Sequence, residues 1–315
     1  MKLLLYLCID METNNTQTVI ALTDSFWQGN RSDNQRQYVS ERLIQTRGLG
    51  EGYSAQFGSG DPFQLRNLHI AILTGGSVDI SVNLLSRHYE KGDLMVITPD
   101  SIMAQESHSL DFDMRMIQMS PTFVSEVMRG QVPPMFLHRM EDFTLHLSEA
   151  DRAAYDYLSE GLWALLHADT LSDEAIRGCC KSLLELLRSL LLSRESRKAV
   201  LPTRGMSIFN EFISMVNAHC TEHHGVVFYA KEIGISREHL SNLVTAASGR
   251  TASSWIDEAL LSRAKILLGH TDLTSAEISD RLNFPAPAHF ARFYKRLTGM
   301  TPGQYRREAL GAAEP

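Results

Sequence analysis

A chain of 315 residues is long enough for about two globular domains, and its hydrophobic (43%) and charged (21%) fractions are ordinary for globular proteins. No run of about 18 apolar residues occurs, which excludes a membrane-spanning helix. The net charge of −7 argues against nucleic acid as a partner, unless the basic residues are concentrated in one part of the chain.

The charge is in fact unevenly distributed. Residues 1–202 carry 18 Lys and Arg against 26 Asp and Glu, whereas residues 203–315 carry 12 against 11. Within the second part, residues 281–307 contain six basic residues and no acidic one. This basic segment favours contact with nucleic acid, and a solvated basic helix face is the alternative.

Four cysteines occur in the chain: Cys8, Cys179, Cys180 and Cys220. Their spacing is not typical of a metal site or a disulfide framework, so we expect a reduced, cytoplasmic protein. The apolar residues 3–9 are similar to a short export signal, but no small-residue cleavage site follows them. For this segment we expect a later start at Met11 or a first β-strand instead.

Short apolar segments separated by turn residues characterise the first half of the chain. Leu68–Leu73, Ser77–Val82 and Leu94–Ile97 are such segments, and Gly75–Gly76 is one of the turns. Strands of this length and spacing predict a small barrel or sandwich. We assign this mostly-β domain to residues 1–147.

After this domain the hydrophobic period becomes helical. Ser148 can cap a first helix, and leucines recur at helical intervals as far as Leu191. We assign residues 148–195 to trailing helices whose broad leucine face is compatible with packing on the β domain and on a second subunit. An ordinary intrachain core is the alternative. Residues 196–206 are polar, include Pro and Gly, and predict a linker.

The last part of the chain, residues 207–315, contains one sequence pattern twice. Five pairs of similar residues are each 50 positions apart: Leu240/Phe290, Leu243/Phe293, Gly249/Gly299, Thr251/Thr301 and Trp255/Tyr305. Positions nearer the start of the pattern are 49 apart, so the second turn is one residue longer. This repetition predicts one supersecondary unit that is used twice.

Each repeat predicts a helix, a tight turn and a second helix. Gly234 and Asn283 stand where the turn needs a positive φ, which glycine and, less easily, asparagine adopt. Ser236 can cap the second helix of the first unit, and Pro287 suits a first helical turn in the second unit. An amphipathic helix over residues 255–268 predicts a strut between two recognition helices, with a plain helical bundle as the alternative.

The stretch from Phe209 to Arg307 resembles the DNA-binding domain of the AraC/XylS family of transcription regulators. The resemblance rests on these segments: Phe228-Tyr229-Ala230, Gly249-Arg250-Thr251, Ala264-Lys265-Ile266-Leu267-Leu268, and Phe290-Ala291-Arg292-Phe293-Tyr294-Lys295-Arg296-Leu297-Thr298-Gly299-Met300-Thr301-Pro302. It implies a double-stranded DNA-binding regulator, an activator or a repressor of transcription, whose cupin-like N-terminal barrel binds a small effector. It also implies a homodimer through residues 148–195, with RNA polymerase as a further candidate partner.

Matched by position, the resemblance assigns contacts with DNA to individual residues. The base-contacting candidates are Glu238, Ser241, Asn242, His289 and Arg292, with only apolar contact from Pro287 and Ala288. The phosphate-contacting candidates are Arg237, Arg250, Lys295, Arg296 and Arg306. Chemically, Asn242 suits adenine, Arg292 suits guanine, and Glu238 can accept from cytosine N4.

The chain departs from the family pattern at two places. The family often has lysines late in the first recognition helix, where this chain has Thr245, Ala246 and Ala247. The glycine usual in the second turn is Asn283. We therefore expect the second unit to supply most of the phosphate contacts.

A cupin-type metalloenzyme with a helical appendage is the alternative from another functional class. His69, His88 and His108 lie in or near predicted strands, but no His-x-His with a following Glu occurs. We therefore expect no metal, no cofactor and no catalytic residue, and we leave the effector-binding residues unassigned. In a third interpretation, the β-rich domain only holds dimers together.

Overall fold

The computed structural model describes residues 36–48, 61–136, 143–170, 172–197 and 204–311. The predictions for residues 1–10, including Cys8, and for linker residues 198–203 lie outside these ranges. The described strands are β1 (Gln37–Val39), β2 (Leu43–Arg47), β3 (Phe63–Gln64), β4 (Leu68–Gly75), β5 (Ser77–Val82), β6 (Leu85–Glu90), β7 (Asp93–Ile97), β8 (Ile102–His108), β9 (Asp113–Met119) and β10 (Phe143–His146).

These strands pair in antiparallel fashion and form two sheets. One sheet has the order β1-β2-β9-β4-β7-β10, and the other has the order β3-β8-β5-β6. The predicted mostly-β domain is confirmed. The closed barrel that the resemblance implied is not: among the described residues neither sheet's edge strands pair with one another or with the other sheet, so the architecture is two open sheets.

The burial pattern of each strand follows from its place in these layers. In β5, Val78, Ile80 and Val82 are buried between the sheets, while the intervening side chains are more exposed. In β4, all residues of Leu68–Leu73 are buried. Both faces of β4 are covered because one packs against the second sheet and the other against helices, which explains why Leu68–Leu73 is apolar except for His69.

Three helices cover the outer face of the six-stranded sheet: α1 (Pro121–Val127), α2 (Glu149–Leu166) and α3 (Asp173–Arg197). Ser148 caps α2 as predicted, because its hydroxyl accepts from the Asp151 backbone N–H at 3.2 Å. Leu183, Leu184 and Leu187 of α3 lie in the same core as the β4 side chains. The leucine face therefore forms an intrachain core with the sheet.

The C-terminal part is entirely helical: α4 (Arg204–His219), α5 (Val226–Ile233), α6 (Arg237–Ser248), α7 (Ala252–His270), α8 (Ser275–Arg281), α9 (Pro287–Thr298) and α10 (Pro302–Gly311). Its side chains form two separate apolar cores. The first half of α7 packs with α4, α5 and α6, and the second half packs with α8, α9 and α10. In the described part of the chain, no helix is long and apolar enough to cross a membrane.

Candidate nucleic-acid interface

The first helix-turn-helix unit consists of α5 and α6, joined by a tight turn. Gly234 ends α5 with φ 79°, the left-handed conformation that favours glycine. Ser236 caps α6, since its hydroxyl accepts from the His239 backbone N–H at 3.1 Å. Leu240 and Val244 lie on the inner side of α6 and are buried in the core. Both turn predictions for this unit are confirmed.

The second unit, α8 and α9, repeats this arrangement with different chemistry. Asn283 has φ 54°, so an asparagine occupies the left-handed position that Gly234 occupies in the first unit. Pro287 is the first residue of α9, as predicted. A capping box between Thr274 and Glu277 starts α8; its Thr-x-x-Glu pattern is legible in the sequence, but the sequence reasoning missed it.

The outer side of α6 carries few charges. Arg237, Glu238 and Asn242 are exposed, and Ser241 is half-buried beside them. The side chains of Thr245 and Ala246 continue this exposed face. The three base-contacting candidates of this helix therefore lie on the side that faces away from the core.

The outer side of α9 is basic. His289, Arg292 and Lys295 are exposed at intervals of three residues, so they follow one another along one side of the helix. Phe290, Phe293 and Tyr294 occupy the opposite, buried side. In the described residues, Arg292, Lys295 and Arg237 have no ion-pair partner, and these cations are therefore available to an anionic ligand.

Three of the predicted phosphate-contacting arginines have partners inside the protein. Arg250 pairs with Glu258, and its guanidinium lies 4.1 Å from the centre of the Trp255 ring. Arg296 pairs with Asp257 at 2.9 Å. Arg306 donates from Nε to the Leu268 carbonyl at 3.0 Å, and its Nη2 is buried.

The contacts of Arg296 and Arg306 join residues 39 and 38 positions apart, so no local sequence pattern predicts them. Arg306 ties α10 to the end of α7, which makes it a structural residue and a weak candidate for phosphate. Arg250 and Arg296 stay partly exposed and can exchange an exposed ion pair for a phosphate at small cost.

The β-rich domain contacts the helical domain through the tip of the β5–β6 hairpin. Leu84 and Leu85 pack against the core of the first unit. The Asn217 side chain of α4 donates to the Asn83 carbonyl at 3.1 Å. Nearby, two residues of α7 reach the β domain: Arg263 donates to Gln64 at 3.0 Å, and Lys265 pairs with Asp61 at 3.3 Å.

The hairpin tip is strained. Asn83 has φ 50° and Leu84 has φ 75°, and a bulky residue in the left-handed region costs about 1–3 kcal/mol. The Asn83 side chain fixes the turn, since it accepts from the Ile102 backbone N–H at 3.0 Å and donates to the Ser101 hydroxyl at 3.1 Å. The turn thus holds Leu84 against the helical domain.

Replacing Leu84 with aspartate is expected to loosen this contact, because it places a charge against an apolar core. Hydrogen exchange followed by mass spectrometry should become faster in α4 and the first half of α7, with β5 unchanged. Leu84→Gly is the matched control: it removes the side chain and also relieves the positive-φ strain, so its effect should be smaller. Identical exchange in Leu84→Asp and the unsubstituted chain contradicts the prediction.

The three histidines weighed as metal ligands have other surroundings. His69 is buried, and the loss of solvation lowers its pKa to about 3. His88 is exposed and hydrogen-bonded to Asp79 at 2.7 Å, which raises its pKa. His108 bonds to the Ser109 carbonyl at 2.9 Å. In the parts of the chain that the structure describes, no three His, Cys, Asp or Glu side chains converge as metal ligands.

Residues 229–308 match a family model described as "Helix-turn-helix domain". The arabinose operon regulatory protein of Salmonella typhimurium is 27% identical over 122 residues, which are 38% of this chain and 42% of that protein. That of Escherichia coli is 30% identical over 77 residues, 24% of this chain and 26% of that protein. The chain spans less than half the length of the curated relatives that it matches.

The chain is also similar to solved structures. An AraC-type regulator from Chromobacterium violaceum is 25% identical and covers 34% of this chain and 96% of its own, with a TM-score of 0.31. ToxT from Vibrio cholerae with bound unsaturated fatty acid is 14% identical. The match covers 81% of this chain and 92% of the ToxT chain, with a TM-score of 0.38. The resemblance stated from sequence is confirmed: the C-terminal region is an AraC-type helix-turn-helix DNA-binding domain.

Proposed function

We propose that this chain is a sequence-specific DNA-binding transcription regulator. The observation that carries the proposal is the pair of recognition helices, α6 and α9, which are held by one shared strut and present exposed polar side chains. The strut, α7, has 19 residues and therefore a length of about 28 Å at 1.5 Å per residue. This length suits two helices that enter successive segments of the major groove, about 34 Å apart.

For this function, we assign the contacts with DNA bases to exposed residues of α6 and α9. Arg292 offers a bidentate donor pair to guanine, Asn242 suits adenine, and Glu238 can accept from cytosine N4. Ser241 and His289 lie beside them and complete the base-contacting set. The exposure of four of these side chains and the half-exposure of Ser241 support the assignment.

The electrostatic attraction for DNA is divided unequally between the units, although each unit offers two phosphate-contacting candidates. Lys295 and Arg237 are the leading candidates because neither has an internal ion-pair partner among the described residues. Arg250 and Arg296 are further candidates, because each can release its internal partner, Glu258 or Asp257, and bind a phosphate instead. The second unit supplies the greater part of the electrostatic attraction, since α9 contains no acidic residue.

Replacing Lys295 with alanine is expected to weaken DNA binding more than replacing Lys231, an exposed lysine of α5. Loss of one phosphate contact should reduce the slope of log K against log salt by about 0.9. The measurement is fluorescence anisotropy on DNA that the full chain has selected from a random pool, at several salt concentrations. Equal weakening by Lys295→Ala and Lys231→Ala contradicts the unequal division.

We propose further that the β-rich domain responds to a small effector, that the regulator is cytoplasmic, and that RNA polymerase is a further partner, with activation and repression both left open. The contacts of the β5–β6 hairpin with α4, and of Asp61 and Gln64 with α7, support the first part. They give a rearrangement of the β-rich domain a direct physical route to the strut that carries both recognition helices.

A homodimer through α2 and α3 is the remaining part of the proposal. Tyr157 of α2 is 80% exposed and Leu192 of α3 is 41% exposed, so apolar side chains remain on the outside of these helices. Sedimentation equilibrium of the purified chain tests the proposal. A dimer that Tyr157→Asp shifts toward monomer is the expected result, and a monomer at every concentration contradicts it.

A further inference from the structure

The loop that precedes the first helix-turn-helix unit touches the second unit directly, away from α7. The contact joins the loop between α4 and α5 to the turn between α8 and α9. Asn283 donates from Nδ2 to the Glu222 carbonyl at 2.9 Å, and His224 bonds through Nε2 to the Leu282 carbonyl at 2.8 Å. A carbonyl oxygen only accepts, so Nε2 of His224 carries the proton. We name these four residues, together with Phe284, the inter-unit contact.

A ring contact accompanies the two hydrogen bonds. The His224 ring lies 4.9 Å from the Phe284 ring, centre to centre. Phe284 itself packs against Phe290 and Phe293 in the core of the second unit. The loop of the first unit is therefore connected, through His224 and Phe284, to the inner side of the second recognition helix.

The contact gives a physical reason for asparagine in the second turn. A glycine would adopt φ 54° without strain, as Gly234 does in the first turn, but it has no side chain to donate. Asparagine tolerates the left-handed conformation and adds an amide N–H₂ group. Asn283 uses that group to reach the Glu222 carbonyl, which lies 61 residues earlier in the chain.

Without this contact, α7 would be the main connection between the units. Each half of α7 belongs to a separate core, so the helix holds each unit at a different part of its length. A second attachment point restricts rotation and bending of one unit relative to the other. The Arg296–Asp257 pair also bridges them, but a single exposed ion pair contributes little. The exposed Asn283–Glu222 hydrogen bond is instead accompanied by the part-buried His224–Leu282 bond and the His224–Phe284 ring contact.

We propose that Asn283 and His224 are positioning residues that fix the relative orientation of α6 and α9, and thereby the half-site spacing that the protein accepts in DNA. The proposal rests on the proposed DNA-binding function. Under this proposal, two side chains that contact no base determine which half-site spacing the protein accepts, because a rigid protein holds its recognition helices at one fixed separation.

The first test measures spacing preference with the full chain. The variants are Asn283→Gly, which keeps the turn conformation, and His224→Phe, which keeps a ring against Phe284 but removes the donor. Each is expected to weaken binding to the selected two-part site about 2- to 10-fold, the net value of one hydrogen bond. In the double variant, the preference for the selected spacing over one base pair more or fewer should fall about tenfold, with base preferences inside each half-site unchanged.

Gly234→Asn is the matched control, since it introduces asparagine at the equivalent turn; its Cβ meets open space, and asparagine tolerates the left-handed φ of 79° better than most residues. It should leave the spacing preference unchanged. If the double variant binds with unaltered spacing preference, the proposal is wrong. If the unsubstituted chain selects no DNA, the proposed function fails instead, and the two failures are therefore distinguishable.

A second measurement needs no DNA. Spin labels at exposed Ala246 of α6 and Ala288 of α9, with Cys8 and Cys179 replaced by serine, report the distance between the recognition helices. A narrow distance distribution is expected for the parent and a broader one for the Asn283→Gly/His224→Phe variant. Equal widths, with unchanged circular dichroism, overturn the positioning role.

Discussion

Replacing Arg292 with alanine is expected to cost about 1–3 kcal/mol of binding free energy on the selected DNA and to relax the preference at one base pair. Arg292 is exposed on the outer side of α9 and has no ion-pair partner among the described residues. Its planar guanidinium can donate two hydrogen bonds to one guanine, so its loss removes sequence information as well as charge.

Arg292→Lys separates these two effects. Lysine keeps the positive charge but lacks the two-donor fork, so the salt dependence of binding should be retained while the base preference is lost. Competition binding against sites altered at each base pair in turn measures both properties. A uniform loss of affinity across all sites would show that Arg292 binds phosphate, contrary to this prediction.

Replacing Phe290 with alanine is expected to have the largest effect on folding. The Phe290 ring is fully buried and packs against Phe284 and Tyr294. Truncating a buried phenylalanine costs about 3–5 kcal/mol. Because the two cores are separate, amides in α8, α9 and α10 should exchange faster while those in α5 and α6 stay protected.

Leu240→Ala is the matched variant, since Leu240 is the repeat equivalent of Phe290 and is equally buried. It should produce the mirror-image result, with faster exchange in α5 and α6. The measurement is hydrogen exchange by mass spectrometry on the full chain. Faster exchange spread evenly over both units in either variant would mean that they fold as one cooperative body.

The two helix-turn-helix units could be predicted from sequence because their determinants are local. Gly234, Ser236 and Pro287 each act within a few residues of their own position, and the structure places them as turn or cap residues. The buried stripe of Leu240 and Val244 likewise depends only on the helical period. The repeat then carries the same inference to the second unit.

What sequence reasoning missed depends on contacts between distant segments. Strands were recognisable, but their division into two open sheets depends on pairings such as that of β2 with β9, which join residues more than 60 positions apart. The internal partners of Arg306 and Arg296 depend on where α7 lies. The sequence showed that Asn283 stands where the family usually has glycine. The structural reason for this asparagine is its hydrogen bond to the Glu222 carbonyl, which comes close only in the folded chain.

The β5–β6 hairpin was missed for a different reason. Its turn residues, Asn83 and Leu84, both have positive φ, and leucine is not a residue that signals such a turn. The strain is tolerated because Leu84 packs on the helical domain. The residue preferences for positive-φ turn positions do not predict this turn. It lies where one domain meets the other, and contacts between the domains outweigh the local preference.

Selection of random double-stranded DNA by the purified full chain tests the central claim most directly. The predicted result is enrichment of a two-part site whose halves lie about one helical turn, roughly 10 base pairs, apart. Affinity for that site should fall steeply as salt rises. Recovery of no preferred sequence, or of a single half-site with no fixed second half, would contradict the account of two recognition helices acting together.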